Sequence, residues 1–202
     1  YTEAGTQTEM FAGHIPVYRV PMRSRRTGGG LNLFRNYLSF VWSGIRWMPS
    51  LLRGQAFDAI VVFAPSPITT AIPAIVLRWR MRTHLAIWVQ DLWPESLAAT
   101  GYIRNRAALA LGRVVVRWIY SSADTLMVQS HGFIDRVARH ARRDKIVYYA
   151  NSLPAPESAA GDAEPLPPEL IHTLRTWFCV VFAGNIGTVQ AVETLVEAAR
   201  QF

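Results

Sequence analysis

The residues best suited to chemistry follow a short apolar run at positions 84–89. Its uninterrupted, β-favouring pattern is typical of a strand buried on both faces of a parallel sheet. Gln90 and Asp91 come directly after it, and Pro94 and Glu95 then suit the first turn of a helix. Ligands of open α/β sheets bind at the carboxyl ends of the strands. We therefore expect Gln90 and Asp91 to lie at a binding site.

Two residues could act as an acid or base, but each could instead have a purely structural role. The Asp91 carboxylate could orient or deprotonate a hydroxyl group of a substrate, or it could cap the helix ahead of Pro94. His131 is a candidate acid or base at a second helix start, where a capping or surface role is the alternative. Ser130 ends the strand before it and can cap that helix. The residue pattern leaves both alternatives open.

Composition and charge narrow the class of protein. Half of the 202 residues are apolar and 17% are charged, which favours a folded protein. The net charge of +7 comes mostly from arginine and indicates an anionic partner: phosphate, nucleotide or anionic lipid. The single cysteine, Cys179, cannot form a disulfide within the chain, so a reducing compartment is the default. No metal site is predicted, because the histidines are scattered.

Apolar and helical patterns alternate along most of the chain. The connections between the predicted strands are long enough to hold a helix each, so they can cross over and join parallel strands. This pattern predicts a parallel, doubly wound α/β sheet. A short strand is also expected within 14–21, followed by a basic glycine-rich loop, whereas residues 1–13 carry little signal. The predicted strands of the sheet are 58–64, 84–89, 124–129 and 145–150, and the predicted helices are 68–82, 105–120 and one from about 132.

A proline-rich, acidic stretch at 153–170 marks the best domain boundary. Beyond it we predict a buried strand at 177–183, a tight turn at 184–187 and a helix from Gln190 to Phe202. A glycine turn between strand and helix lets backbone N–H groups approach a phosphate. This G-x-x-G is shorter than the dinucleotide-binding fingerprint.

A long helix is predicted over residues 31–53. Arg35, Arg46 and Arg53 return to within roughly 20° of one another at 100° per residue. A wide apolar arc covers the rest of its surface, and tryptophans such as Trp47 stand at its edge. Such a helix suits a membrane interface, and the alternative is a core helix that covers the sheet.

Four segments together resemble family 4 glycosyltransferases, in particular bacterial surface-polysaccharide enzymes similar to N-acetyl-fucosaminyltransferases. The resemblance extends over nearly the whole chain in the expected order, and QDLWPE is its most specific part. The segments are VQDLWPES at 89–96, ADTLMVQS at 123–130, KIVYYAN at 145–151 and FAGNIG at 182–187.

The resemblance implies a GT-B architecture with two Rossmann-like domains. Residues 1–152 would form the acceptor-side domain without its first strand, 153–170 a linker, and 171–202 the start of the nucleotide-sugar-binding domain. On this interpretation the chain is a fragment cut at both ends, lacking the paired glutamates of the donor domain, and is inactive alone.

The resemblance also implies roles for individual residues. Gln90 and Asp91 would be catalytic or would position the sugar or the acceptor hydroxyl. Asn185 and Gln190 stand where many relatives carry an arginine and a lysine, which leaves phosphate contact by this loop in question. Substrate binding is assigned to Ser66, Glu95, Ser130, His131 and Asn151, and contact with the donor diphosphate to Gly184, Asn185 and Gly187. The pattern of the helix over 31–53, rather than the resemblance, assigns membrane contact to Arg35, Arg46, Trp47 and Arg53.

The expected activity is metal-independent sugar transfer with retention, without a cofactor. The donor would be a nucleotide sugar, UDP-linked and N-acetylated (an amino or deoxyamino sugar). The acceptor would be a polyprenyl-diphosphate-linked glycan in O-antigen, capsule or exopolysaccharide synthesis. The protein would be cytoplasmic and peripheral on the inner face of the membrane.

Two alternatives come from other classes. One is an epimerase on the same fold, which would need no membrane-seeking acceptor domain. The other is a nucleic-acid-binding module, for which the arginines are spread over too many helices. No nucleic-acid partner is therefore expected.

Overall fold

The structure is a computed structural model that describes residues 5–25, 30–99, 105–152, 165–184, 186 and 190–201. The chain divides into two compact units, Tyr1–Asn151 and Ser152–Phe202. The strands found in the described residues lie in the first unit and are β1 Gln7–Phe11, β2 Ile15–Arg19, β3 Ala59–Ala64, β4 His84–Val89, β5 Thr125–Val128 and β6 Ile146–Tyr148. The helices are α1 Gly30–Leu51, α2 Ile72–Met81, α3 Glu95–Ala99, α4 Arg106–Ser122, α5 His131–Val137, α6 Pro168–Thr176 and α7 Val192–Ala199.

The centre of the first unit is a parallel sheet in the order β3-β4-β5-β6. Its register pairs Ala64 with Val89, Val89 with Val128, and Val128 with Tyr148, so the four carboxyl ends align at one edge. We call this the carboxyl edge of the sheet, and the opposite one the amino edge. The predicted Rossmann-like α/β fold is confirmed, and each predicted strand of the sheet is found.

The core lies between this sheet and its connecting helices. Leu85, Ile87 and Leu126 are fully buried there with Ile75 of α2 and Ile119 of α4. Strands that follow one another in one direction through right-handed crossovers place their helices on one face of the sheet. The other face exposes apolar side chains in the described residues, among them Val61 and Phe63 of β3.

An ion pair between Arg78 and Asp124 lies at the amino edge of the sheet. Asp124, just before β5, accepts hydrogen bonds from Arg78 Nε at 2.8 Å and Nη2 at 2.6 Å. Its Oδ2 also accepts from the backbone N–H of Leu85 at 2.9 Å. These bonds, led by those from Arg78, hold the pKa of Asp124 well below its usual range despite burial. Arg78 also lies in the last turn of α2, where a cation offsets the helix dipole.

Helix α1 packs along α2. Gly44 permits the contact, because a Cβ there would lie 2.6 Å from Cγ of Pro73 in the first turn of α2. Asn36, which is fully buried, donates from Nδ2 to the carbonyl of Arg23 and fixes the segment before the helix. The helix ends at Leu51, so Arg53 lies in the turn that follows it.

Residues 7–19 form an antiparallel hairpin that the sequence did not reveal in full. Strand β2 was expected and is found, but its partner β1 was missed. Ala12 and Gly13 take positive φ angles of 49° and 76° at the turn. The exposed side chains of β1 give no alternation of apolar and polar residues, so the periodic signal of a strand is weak.

The second unit differs from the prediction in two places. Its described residues contain helices and irregular segments, so the strand predicted at 177–183 is wrong. Phe178 is 96% exposed, and the described part of this unit has no strand with which the segment could pair. Helix α6 begins at Pro168, within the stretch predicted as the linker, where proline suits a first helical turn. Residues 153–164 of the linker lie outside the described residues.

Candidate functional site

Three amide side chains meet at the carboxyl edge of the sheet, and we call Gln90, Gln129 and Asn151 the amide cluster. Each residue follows the end of one of three adjacent strands. Gln90 and Asn151 bond reciprocally: Gln90 Nε2 donates to Asn151 Oδ1 at 3.1 Å, and Asn151 Nδ2 donates to Gln90 Oε1 at 2.9 Å. Asn151 Nδ2 also donates to Gln129 Oε1 at 2.8 Å, and Gln129 Nε2 donates to the carbonyl of Gln90 at 3.0 Å.

Aromatic residues support the amide cluster. Trp88, two residues before Gln90, donates from Nε1 to the carbonyl of Tyr149 at 3.2 Å. The Trp88 ring meets the rings of Tyr149 and Phe63 edge to face, at 5.1 and 5.4 Å between centroids. These contacts hold the chain that leads into Asn151 against β4.

Asp91 and Ser66 lie near the same edge with partners of their own. Asp91 Oδ2 accepts from the hydroxyl of Ser96 at 3.2 Å. Ser66, beyond the end of β3, accepts from Nε1 of Trp93 at 3.2 Å. Asp91 belongs to the QDLWPE segment, and the structure places Ser66 against Trp93 of the same segment, a residue that was not predicted to have a role.

Glu95 points to a different partner. Its Oε1 lies 3.3 Å from Nε2 of His140, whose side chain is only 7% exposed. His140 Nδ1 is buried and has no hydrogen-bond partner among the described residues. Because an ionised carboxylate only accepts hydrogen bonds, a bond to Glu95 requires a proton on Nε2. Burial, and then the charges of Glu95 and Asp91, raise the pKa of the nearby Tyr120 hydroxyl.

Ser130 and His131 begin α5 at the carboxyl edge. Ser130 occupies the N-cap position, but its side chain makes no capping hydrogen bond. The His131 ring stacks on Tyr148 of β6, with 4.1 Å between centroids and 20° between planes. Both residues are exposed. Their side chains are accessible to a ligand.

The residues predicted to bind the donor diphosphate belong to the second unit. Gly184 is described and exposed, and a Cβ on it would lie 3.4 Å from the Phe182 ring. Asn185 and Gly187 lie outside the described residues. Their role stays a prediction.

The predicted membrane residues divide into two groups. Arg46 and Arg53 line one groove at the end of α1, and the Arg46 guanidinium lies 4.7 Å from the centre of the Trp47 ring. Arg35 is exposed three turns earlier on the helix. Among the described residues, no helix has both the length and the apolar character needed to cross a membrane.

Sequence reasoning missed Gln129 and His140. Gln129 follows β5 as Gln90 follows β4, so its position after a strand was the available signal. His140 lies beyond α5, and no local pattern connects it to Glu95, 45 positions earlier. Within the part of the chain that the structure describes, no three histidine, cysteine, aspartate or glutamate side chains lie together as a metal site would need.

A parallel α/β sheet with polar side chains gathered at its carboxyl edge defines the class as a Rossmann-like domain, and proteins of this class bind ligands at that edge. Comparison with known families identifies it further. The family described as "Glycosyl transferase 4-like domain" matches residues 2–152, and the chain belongs to this family of glycosyltransferases. No curated protein matches the chain.

Proposed function

We propose that the first unit is the acceptor side of a retaining, metal-independent glycosyltransferase, and that sugar transfer takes place at the carboxyl edge of its sheet. The single observation that carries this proposal is the amide cluster, which joins the ends of three adjacent strands. Family membership supports glycosyl transfer as the reaction. Retention and metal independence rest on the resemblance to surface-polysaccharide enzymes.

The hydrogen bonds within the cluster leave capacity for a ligand. Asn151 uses both of its N–H donors, one to Gln90 and one to Gln129. Gln90 uses one N–H and accepts one bond from Asn151, so a second N–H and a second lone pair remain. An oriented amide with one donor and one acceptor to spare suits a pair of sugar hydroxyls, and its fixed position reduces the entropy cost of binding.

Asp91 would act beside it on the acceptor. For retention, the acceptor hydroxyl would form its bond to the anomeric carbon on the same face from which the nucleotide diphosphate leaves. A carboxylate can orient that hydroxyl or take its proton as the bond to the diphosphate breaks. The half-buried Asp91 carboxylate is held by Ser96 next to Gln90. Ser66, Ser130, His131 and Asn151 would line the acceptor, whereas Glu95 would act through its contact with His140.

The proposed substrates follow from the resemblance. The donor would be a UDP-linked N-acetylated amino or deoxyamino sugar, with Gly184, Asn185 and Gly187 beside its diphosphate. The acceptor would be a glycan on a polyprenyl diphosphate at the inner face of the cell membrane, for a surface polysaccharide. Arg35, Arg46, Trp47 and Arg53 of the α1 region would contact that membrane, a role that their exposure or half-exposure allows.

The test uses a complete enzyme that contains this chain. Purified protein is assayed with a panel of UDP-linked sugars and a polyprenyl-diphosphate-linked acceptor, with and without EDTA, and the anomeric configuration of the product is read by NMR. We expect transfer with retention that EDTA does not change. Absence of transfer from every donor, or an epimerised free sugar nucleotide as the product, would overturn the proposal.

The role of Asp91 has its own variant. Asp91→Asn should lower kcat by about a hundredfold or more, because general base catalysis contributes at least that much. The control is Asp135→Asn on α5. This change removes an exposed carboxylate that pairs with Arg143, and it should leave kcat unchanged. Equal activity of the Asp91 variant and the control would leave Asp91 as a structural residue only.

A further inference from the structure

Three arginines line one groove. Arg46 lies near the end of α1, Arg53 in the turn that follows α1, and Arg80 in the last turn of α2, and we call this the arginine groove. Trp42 forms part of its wall, and its open volume is about 360 Å³. The close contact of Gly44 with Pro73 brings the two helices together, so the cations converge because of the fold.

These charges have no protein counterion in the described residues. The ion pairs found there include Arg19, Arg78, Arg142, Arg143 and Arg200 but none of the three arginines of the groove. Helices α1 and α2 contain no acidic residue. Converging cations repel one another, and a bound anion would relieve that repulsion.

An apolar stripe leads to the groove along α1. Leu31, Phe34, Leu38 and Trp42 follow one another at steps of three or four residues, and each is at least 50% exposed. Residues at this spacing lie on one face of a helix, and Arg46 continues the same steps. Exposed apolar side chains beside unpaired arginines are typical of a surface that lies in a membrane interface.

We propose that the arginine groove binds the phosphate of an anionic phospholipid headgroup while the apolar stripe enters the interface. The guanidinium group presents paired N–H donors that match phosphate oxygens, and three such groups exceed what one surface arginine offers. This inference rests on the membrane contact in the proposed function and adds Arg80 and a defined ligand chemistry to it. Trp42 covers the groove at the level where the headgroup meets the acyl chains.

The arginine groove is separate from the amide cluster. Arg80 lies at the end of α2 and precedes β4 at the amino edge, whereas Gln90 follows β4 at the carboxyl edge. The six residues of β4 span about 20 Å. A phospholipid in the groove therefore holds the protein on the membrane without occupying the site of sugar transfer.

The first experiment measures vesicle binding by cosedimentation with Arg80→Gln. Vesicles are made of phosphatidylcholine alone or of equimolar phosphatidylcholine and phosphatidylglycerol. On the anionic vesicles Arg80→Gln should weaken binding about fivefold, the effect of one arginine at an anionic surface. The control is Arg113→Gln, which removes the same charge from the exposed side of α4 and should change binding less than twofold. Equal losses in the two variants would overturn the proposal.

A second variant separates geometry from charge. Arg80→Lys keeps the charge but loses the paired donors, so it should bind anionic vesicles more weakly than the original protein and more tightly than Arg80→Gln. Binding equal to that of the original protein would contradict a phosphate site built on guanidinium geometry.

The ligand itself is probed with soluble molecules. Short-chain phosphatidylglycerol below its micelle concentration should shift the NMR signals of the Arg46, Arg53 and Arg80 Nε–H groups saturably, and short-chain phosphatidylcholine should not. Inorganic phosphate that shifts them at the same concentration would show a free-phosphate site and overturn the lipid assignment. Neither vesicle binding nor these NMR signals depend on sugar transfer. Failure of the lipid-binding proposal can therefore be distinguished from failure of the proposed enzyme activity.

Discussion

The two edges of the parallel sheet use polar side chains in opposite ways. At the amino edge, the charges of Arg78 and Asp124 satisfy each other and the backbone of Leu85. At the carboxyl edge, Gln90, Gln129 and Asn151 are neutral, partly or fully exposed, and keep unused hydrogen-bonding capacity. Groups that satisfy one another, as Arg78 and Asp124 do, stabilise the fold, whereas groups with bonding capacity to spare, as in the amide cluster, can bind a ligand.

The difference follows from the physics of the two kinds of bond. A charged pair that is partly removed from water is costly to break, because the partner left behind keeps its charge. A neutral amide can exchange one hydrogen bond for another at little cost. The amide cluster can therefore change hydrogen-bond partners if a ligand binds, whereas the Arg78–Asp124 pair cannot do so without loss of stability.

The largest effect on stability is expected at the amino edge. Asp124→Ala removes the acceptor of the Arg78 and Leu85 bonds and should lower the free energy of unfolding by about 2–3 kcal/mol. Urea denaturation measures the loss. The matched control is Asp144→Asn, which breaks an exposed pair with Arg142 and should leave the urea midpoint unchanged. If the two variants lose the same stability, the contrast between the edges fails.

A pH dependence should follow from the same carboxylate. Because its pKa is lowered in the folded protein, Asp124 binds a proton more readily in the unfolded chain, and stability is lost as pH falls. The contribution should be complete above about pH 5 and should decrease as pH falls below about 4, the usual carboxyl pKa. Unfolding measured from neutral to acid pH should show a shallower decline in Asp124→Asn than in the original chain. Parallel curves would contradict this assignment.

The smallest effects on stability are expected from the residues that precede helices α4 and α5. Asn105 caps α4 by accepting from the N–H groups of Ala107 and Ala108 at 2.8 and 3.2 Å. Asn105→Ala should therefore cost about 1 kcal/mol. Ser130→Ala should cost less than about 0.5 kcal/mol, because its side chain makes no capping bond. Thermal unfolding of the two variants measures both values, and an equal loss would show that Ser130 is a structural cap.

The central sheet could be predicted from the sequence because β3, β4 and β5 have continuous apolar runs and pack at least one face into the core. Strands β3, β4 and β5 match their predicted ranges to within one residue at each end, and Gln90 and Asn151 were expected at the ends of their strands. Strand β1 was missed because its side chains are exposed, so burial imposed no pattern on them. The opposite error occurs at 177–183, where an apolar run predicted a strand that the structure does not contain. An apolar run forms a strand only when another strand lies beside it to pair with.

The site was harder to predict than the fold. Which amides bond to one another depends on strand order and register, and these bring Gln90 and Asn151 together across 61 positions of sequence. The pairing of Glu95 with His140 depends on how α5 and the turn after it pack. Such contacts join distant positions, so local periodicity carries no signal for them.

The most direct test of the contrast between the edges is the rate of sugar transfer by a complete enzyme that carries Gln90→Ala. Transfer should fall at least about tenfold in kcat/KM, equivalent to a loss of about 1.4 kcal/mol of transition-state stabilisation. The thermal unfolding midpoint, measured on the same sample, should change little because Gln90 is half-buried and its partners keep access to water. Unchanged transfer would contradict the assignment of the chemistry to the carboxyl edge.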